Sequence, residues 1–353
     1  MSGGLLVYGA NGYTGRLIAR RAVEMGMRPV LAGRNGAEVG ALASTLGLEA
    51  RVFALDDARR LADGLSGMSV VLHCAGPFSR TAAPMAEACV RAGAHYLDIT
   101  GEAGVFEAMH ARGERAAAAG VMLLPGAGFD VVPSDCLAAH LKRRLPSATR
   151  LALAFRSIGG GVSHGTATTM AENAHRGGLV RKNGALTAVP SAWKTRSIDF
   201  GRGPVVATTI PWGDVVTAFY STGIPDIEVY TVVSATARAM LRVGRYLGGV
   251  LASVPVQGAL RRVIARRPAG PSDDERARAS SVVWGEATNE AGQRVVSRLR
   301  APDGYTLTAQ TAVATARRAL DGDAPLGFQT PSLAYGADLI LTAATGVERT
   351  DVE

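Results

Sequence analysis

An α/β fold is predicted from three features of the 353-residue sequence. Short apolar runs alternate with helix-length runs over the first 130 residues or so. The first apolar run ends in three glycines spaced three apart. Beyond Leu145-Pro146 the alternation gives way to a different pattern of strands and helices. Strands alternating with helices form a parallel sheet covered on both faces. The expectation is therefore a doubly wound parallel sheet of the Rossmann type, followed by an α+β region with an antiparallel sheet.

The glycines lie in Leu5-Leu6-Val7-Tyr8-Gly9-Ala10-Asn11-Gly12-Tyr13-Thr14-Gly15. A strand, a tight turn and a helix start in this order suit a dinucleotide pyrophosphate. Gly9 permits the turn, Gly12 lets the backbone approach the phosphates, and Gly15 lets the helix pack against the strand. The helix N-terminus then turns unpaired N–H groups toward the anion. Asn11, Tyr13 and Thr14 belong to the same expected site.

Strands are expected at 4–8, 28–32, 50–54, 69–74, 95–98 and 121–124. Helices are expected at 13–26, 36–46, 57–66, 82–92, 104–119 and 135–144. Ligands then sit at the carboxyl ends of the strands. The second strand ends in Ala32-Gly33-Arg34-Asn35. No acid stands there to hold a ribose 2′-hydroxyl, and Arg34 suits a 2′-phosphate, so NADP(H) is predicted over NAD(H). Asp56, in Leu55-Asp56-Asp57, reads equally as an adenine contact or as part of a helix cap. Ala75, Gly76, Pro77 and Phe78 form a loop suited to pass under the nicotinamide ribose. Gly101, after the fifth strand, completes the expected cofactor set. Cys74 reads as a small buried residue.

Net charge is +8, hydrophobic residues make up 47%, and aromatics only 5%. This is a globular composition. The positive charge suits anionic ligands, and no nucleic-acid recognition motif accompanies the scattered arginines. Cys74, Cys89 and Cys136 match no metal spacing and no disulfide framework, so no metal is expected. No membrane-spanning stretch and no secretory signal is read, and a cytoplasmic location is expected.

Gly-Ala-Asn-Gly-Tyr-Thr-Gly, Ala-Gly-Arg, Cys-Ala-Gly-Pro-Phe, Tyr-Leu-Asp-Ile-Thr-Gly-Glu and Gly-Phe-Asp-Val-Val-Pro-Ser-Asp follow one another in this chain. In that order they resemble the saccharopine dehydrogenase-like superfamily. The resemblance implies an N-terminal Rossmann domain, an inserted α+β domain and a C-terminal helix returning to the Rossmann part. On that basis residues 1–133 and 330–353 are expected to form the NADP-binding domain. Residues 134–329 would form the α+β substrate and dimerisation domain, with a homodimer as one expectation. Pro211-Trp212-Gly213-Asp214, Ser221-Thr222-Gly223-Ile224-Pro225, Glu228-Val229-Tyr230, Gly270-Pro271-Ser272 and Tyr305-Thr306-Leu307-Thr308-Ala309 resemble the branch holding the trans-acting enoyl reductases. Those act in assembly of long-chain polyketide lipids. The branch also holds oxidoreductases of unknown substrate.

In the second half, strands are expected at 150–156, 203–211, 226–234 and 281–300. Helices are expected at 165–177, 236–253 and 309–319, with the returning helix at 330–342. Three residues are candidates for acid chemistry. Asp130 reads as a substrate-side contact or a helix-entry residue. Asp214 reads as an acid in the cleft or a turn residue. His164 reads as a polar contact to substrate or cofactor, or as an exposed residue beside a capping Ser163 or Thr166. The region 236–267 carries an apolar stripe (Met240, Val243, Leu247, Leu251, Val254) and arginines 238, 242 and 245. It reads as a surface helix packed on the core, or as a contact to a membrane or carrier protein. Pro268 to Glu275 is expected to be an exposed loop.

The predicted function is NADPH-dependent reduction of a C=C bond in a small-molecule or carrier-bound acyl substrate. A saccharopine-type C–N oxidoreductase is the first alternative. It would need cationic residues such as Arg156, Arg176, Arg181 and Lys182 to converge. A non-catalytic NADP-binding scaffold at a membrane or lipid surface is the second.

Overall fold

The computed structural model describes residues 3–173, 177–244, 246, 248–251 and 253–352. The chain begins β1 (Gly4–Tyr8), α1 (Tyr13–Glu24), β2 (Val30–Gly33), α2 (Gly36–Leu46), β3 (Ala50–Val52), α3 (Ala58–Gly64) and β4 (Met68–His73). It continues α4 (Phe78–Ala92), β5 (His95–Asp98), α5 (Ala103–His110), α6 (Gly113–Ala118), β6 (Met122–Leu124) and α7 (Val132–Arg144). Then come β7 (Arg150–Ile158), α8 (His164–Asn173), β8 (Gly178–Lys182), β9 (Ala185–Val189), β10 (Thr195–Asp199), β11 (Pro204–Thr209), α9 (Asp214–Thr222) and β12 (Asp226–Thr231). They are followed by α10 (Ala235–Gly244), α11 (Gly248–Leu251), α12 (Val254–Ala265), α13 (Asp273–Arg278), β13 (Ser280–Thr288) and β14 (Arg294–Pro302). The chain ends with α14 (Gly304–Leu320), β15 (Gly327–Phe328), α15 (Pro331–Tyr335), α16 (Leu339–Ala343) and β16 (Glu348–Asp351).

Two compact units result: Met1–Val132 with Tyr305–Thr345, and Pro133–Gly304 with Gly346–Glu353. In the first unit seven parallel strands run in the order β15-β6-β5-β4-β1-β2-β3. Apart from the short β15 this is the doubly wound order read from the sequence. Residues alternate across the sheet. Leu5, Val7, Leu31, Val70, Leu72, Leu97, Met122 and Leu124 point to one core, shared with Ile18 and Ala22 of α1, Val39 of α2 and Ala309, Ala312, Val313 and Ala316 of α14. Leu6, Tyr8, Val71, Tyr96 and Leu123 point to the other, shared with Leu61, Met85, Cys89, Met109 and Ala116. The register aligns Tyr8 with Ala32 and with His73, and His73 with Asp98. The carboxyl ends of β1, β2, β4 and β5 therefore meet along one edge.

The second unit is built on a nine-stranded sheet with the path β10-β11-β12-β7-β13-β14-β16, from which the β8–β9 hairpin branches at β12. The expected antiparallel sheet is in fact mixed, because β7 and β12 pair in parallel after a crossover that includes α8 and α9. Helix α7 lies on this sheet: a Cβ on Gly285 of β13 would come within 2.6 Å of Leu141 and 3.1 Å of Leu137. At the edge, Asp351 of β16 accepts hydrogen bonds from Ser297 Oγ (2.7 Å) and pairs with His140 of α7 (2.8 Å).

Several boundaries differ from the sequence reading. The helix expected at 309–319 begins at Gly304, and from Tyr305 it belongs to the first unit rather than to the insert. Its alanines allow close packing on the sheet. Residues 346–353 belong to the second unit, because β16 pairs with β14 there. The expected helix 104–119 breaks around Ala111–Arg112, and Gly113 opens α6 where a Cβ would meet Phe328 at 3.0 Å. The expected loop 268–275 contains a helix start. Ser272 and Glu275 form a capping box there, a spacing visible in the sequence.

Val313 is fully buried between α14 and the parallel sheet. Val313→Asp should cost about 3 kcal/mol or more by stranding a carboxyl in an apolar core. Val313→Ile should cost less than about 1.5 kcal/mol. Urea unfolding of the two variants measures the difference. Near-equal midpoints would show that α14 does not seal this core.

Candidate cofactor and active site

The glycine turn has the geometry that a phosphate cradle needs. Gly9 adopts φ +80°, in the left-handed region, and a Cβ there would meet Ala75 N at 2.8 Å. A Cβ on Gly15 would collide with the Gly9 carbonyl oxygen. Helix α1 thus packs directly on the turn only because both positions lack side chains. Gly12 donates its N–H to Gly9 O (3.0 Å), and it has extended backbone that any residue could adopt. It caps α1 without a side-chain hydrogen bond, and the first turn of α1 carries no acid. The helix therefore begins with neither a side-chain cap from Gly12 nor an acid in its first turn, which favours an anion at its N-terminus.

At the adenosine end, Arg34 follows β2 and is exposed. Arg34 and Asp56 act electrostatically in opposite senses on Tyr8, whose hydroxyl is pushed up to about 12, mainly by burial. That places both residues near one strand-end tyrosine. Asp57, not Asp56, caps α3, accepting from the N–H groups of Arg59 and Arg60 at 3.0 Å each. Asp56 is left exposed beside Arg34's strand end. The acid absent at position 34 arrives four residues later. Glu38 accepts from Asn35 Nδ2 (2.7 Å) and Asn11 Nδ2 (3.0 Å). Asn11 is thereby fixed by α2, and its Oδ1 lies against Gly33, where a Cβ would come within 2.9 Å.

The edge formed by the loops after β4, β5 and β6 is organised by two carboxylates not singled out in the sequence. Asp98 ends β5 and is fully buried. Its Oδ1 accepts from Thr100 N and Gly126 N, both at 2.9 Å, and its Oδ2 accepts from Tyr96 OH at 2.7 Å. Its carbonyl accepts from Ala127 N at 2.7 Å. Burial pushes this carboxyl up to about 6, against the pull of those donors. Glu102 accepts from Phe78 N (2.9 Å) and Ser79 N (3.2 Å), so it caps α4 from the neighbouring loop. The loops after β4, β5 and β6 are thus bound to one another. Ala75, Gly76, Pro77 and Phe78 run along this edge, with a cis peptide at Gly76–Pro77.

The loop after β6 is held from below by α14. Thr308 Oγ1 accepts from Phe129 N (2.9 Å), and Thr311 Oγ1 donates to Ala127 O (2.8 Å). A Cβ on Gly128 would come within 2.8 Å of Thr308. The threonines Thr308, Thr311 and Thr315 on the otherwise apolar buried face of this helix were the available signal. Asp130 leaves this loop half-buried, and a Cβ on Gly101 would come within 2.8 Å of its Oδ2. Gly101 is therefore small because Asp130 lies against it. Burial pushes the Asp130 carboxyl up to about 7.

Asp130 and the whole cofactor set lie in the first unit, whereas His164 and Asp214 lie in the second. His164 opens α8, and its Nε2 is bonded to Arg267 O at 2.6 Å. Ser163 caps the same helix through Thr166 N at 3.3 Å. The ring therefore ties α8 to the 267–269 turn, and its position fits the capping reading. Asp214 is the first residue of α9 and is fully buried. It is a helix-start acid, favoured there by the helix dipole, and not a turn residue. Arg181 is buried, donating to Val215 O (2.6 Å) and Gly184 O (2.7 Å) and lying 4.0 Å over the Phe219 ring. It is spent on structure. Lys182 is exposed and Arg156 half-buried. Arg176, Arg245 and Leu247 lie outside the described residues. Cys74 stays protonated, its thiol raised by burial. Among the described residues no His, Cys, Asp and Glu cluster could hold a metal.

A parallel sheet in this order, with the glycine turn, an uncapped α1 and Arg34, defines a dinucleotide-binding unit of the oxidoreductase class. Residues 5–124 match the family described as the saccharopine dehydrogenase NADP binding domain. They are similar to that domain over this stretch, and the match supports NADP(H) as the cofactor. Among curated proteins the chain is similar to a trans-acting enoyl reductase of Mycobacterium leprae, 34% identical over 149 residues, covering 40% of this chain and 36% of the relative. It is also similar to a putative trans-acting enoyl reductase of Mycobacterium tuberculosis, 33% identical over 181 residues, covering 48% and 43%. The matches thus span well under half of these relatives' own length. The fold matches the apo saccharopine dehydrogenase (L-Glu forming) of Saccharomyces cerevisiae with a TM-score of 0.67, at 12% identity, over 99% of this chain and 100% of that one.

The cradle separates two glycine roles. Gly15→Ala should destabilise the protein by displacing α1, whereas a Cβ at Gly12 meets only Gly9 O at 3.3 Å. Gly12→Val should therefore fold normally and lose NADPH binding. Thermal melts and fluorescence titration with NADPH measure both, and retained binding in Gly12→Val would mean the pyrophosphate lies elsewhere. Arg34→Ala should weaken NADPH by about ten- to a hundredfold, the worth of one charged hydrogen bond, and leave NADH nearly unchanged. Equal loss for both cofactors would remove Arg34 from the 2′-phosphate.

Proposed function

We propose that this protein is an NADPH-dependent reductase of the C=C bond of an α,β-unsaturated acyl thioester, with Asp130 as its proton donor. The observation that carries this reading is the half-buried Asp130 carboxyl, raised to about 7, on the strand edge that also carries the cofactor loops. The names of the curated relatives support the enoyl substrate, and "trans-acting" suits an acyl chain delivered on a separate carrier. The net charge of +8 suits an anionic carrier or cofactor.

The bound cofactor would supply a hydride to the β-carbon. Gly9, Gly12 and Gly15 would seat the pyrophosphate, Arg34 the 2′-phosphate, and Gly76, Pro77, Phe78 and Gly101 the nicotinamide side. The electron pair of the C=C bond then resides in an enolate. Asp130 Oδ would give its proton to the α-carbon and be reprotonated from solvent, leaving a saturated thioester. A carboxyl near 7 matches the operating pH and can both hold and release that proton. The C–N alternative loses one of its four candidate cations, because Arg181 already serves two carbonyls and an aromatic ring.

Stopped-flow NADPH oxidation with enoyl thioesters of several chain lengths tests the proposal. Turnover should fall as pH rises through about 7, as Asp130 loses its proton. Asp130→Asn should lower the rate by about 10²–10⁴-fold and abolish that limb while keeping NADPH binding. Tight NADPH binding without turnover at any chain length would support the scaffold alternative. Oxidation only with an amino acid and keto acid pair would support C–N chemistry. The same group sets a stability trend. Its folded value near 7 exceeds the unfolded value of about 3.9. The stability it contributes is complete below about pH 4 and is lost as pH rises through 7.

A further inference from the structure

The segment between Glu228 and Asp273 contains no acidic residue and no lysine, yet it holds arginines 238, 242, 245, 261, 262, 266 and 267. Helix α10 within it buries no residue. It is not the core-packed helix expected from its apolar stripe. Met240 is 73% exposed, Tyr246 81% and Val254 85%, and Val243, Val250 and Val263 are exposed as well. Helix α12 is anchored to its own unit: Gln257 Nε2 donates to Ala171 O of α8 at 3.1 Å, and Ile264 is buried. The exposed Val254 and Val263 of α12 are therefore carried on an anchored support. Large apolar residues exposed together mark an interaction surface. Here they are interleaved with a single sign of charge.

We propose that α10 to α12 form a docking surface for a lipid bilayer bearing anionic headgroups. The charge pattern selects the occupant. An apolar face flanked by basic residues places its side chains at the boundary between headgroups and acyl chains, while the guanidinium groups remain among the phosphates. A second copy of this chain would bring seven more arginines against these seven with no acid in the segment to pair them. No helix among the described residues is long and apolar enough to cross a membrane, so the contact is peripheral. The proposal stands apart from the reduction chemistry and rests on the second unit alone.

Sedimentation of the full chain with vesicles tests it. Binding to phosphatidylcholine vesicles containing phosphatidylglycerol should exceed binding to pure phosphatidylcholine by about tenfold or more, and should weaken strongly in high salt. Met240→Glu with Val254→Glu, both at exposed positions, should abolish it and leave the circular dichroism spectrum and thermal melt of the full chain unchanged as proof of folding. No binding, equal binding to neutral vesicles, or binding unaffected by the two glutamates would overturn the proposal. Sedimentation velocity without lipid provides the remaining check. Self-association abolished by the same two substitutions would assign the surface to a second copy instead.

Discussion

The candidate site depends on a buried carboxylate that is itself no ligand of substrate or cofactor in our reading. Asp98 accepts from Thr100, Gly126 and Tyr96 and offers its own carbonyl to Ala127. Charging a buried carboxyl is costly unless donors surround it. Apart from Tyr96 of β5 itself, the residues that meet that cost belong to the two loops lining the site edge. Glu102 extends the arrangement to the start of α4. A loop cluster that would otherwise be pliable is thereby given one arrangement before any ligand arrives, as preorganised electrostatics require.

The helix α14 supplies the second constraint. It comes from a distant part of the chain, yet it fills the core on one face of the parallel sheet. Its threonines hold the 127–129 loop through Ala127 and Phe129. Packing and positioning are thus done by one helix. The apolar alanines set its distance from the sheet, and the polar threonines set the path of the loop that carries Asp130.

The charge distribution divides the labour between the units. In the first unit Arg34 stands exposed just after β2. In the second, Arg181 is buried among carbonyls and aromatic rings, and Glu286 pairs with Arg196 and Arg294. Seven further arginines lie in one acid-free segment, residues 229–272, in which Met240, Val254 and Val263 are exposed.

Local patterning determined the strand and helix order of residues 4–124, the glycine cradle and the cofactor, since each rests on spacing within a few residues. Gly9, Gly15 and Arg34 are legible because the conformations and charges they supply are local. The bonds of Asp98 to Gly126, of Glu102 to Phe78 and Ser79, and of Asn11 to Glu38 were not, because each joins positions that only the folded sheet brings together. The true extent of the first unit was likewise hidden: Tyr305–Thr345 joins it across 172 intervening residues, Pro133–Gly304. Whether an apolar stripe is core or surface was also decided by tertiary structure. The periodicity of α10 is the same in either case, and only the tertiary structure shows that none of its residues is buried among the described residues.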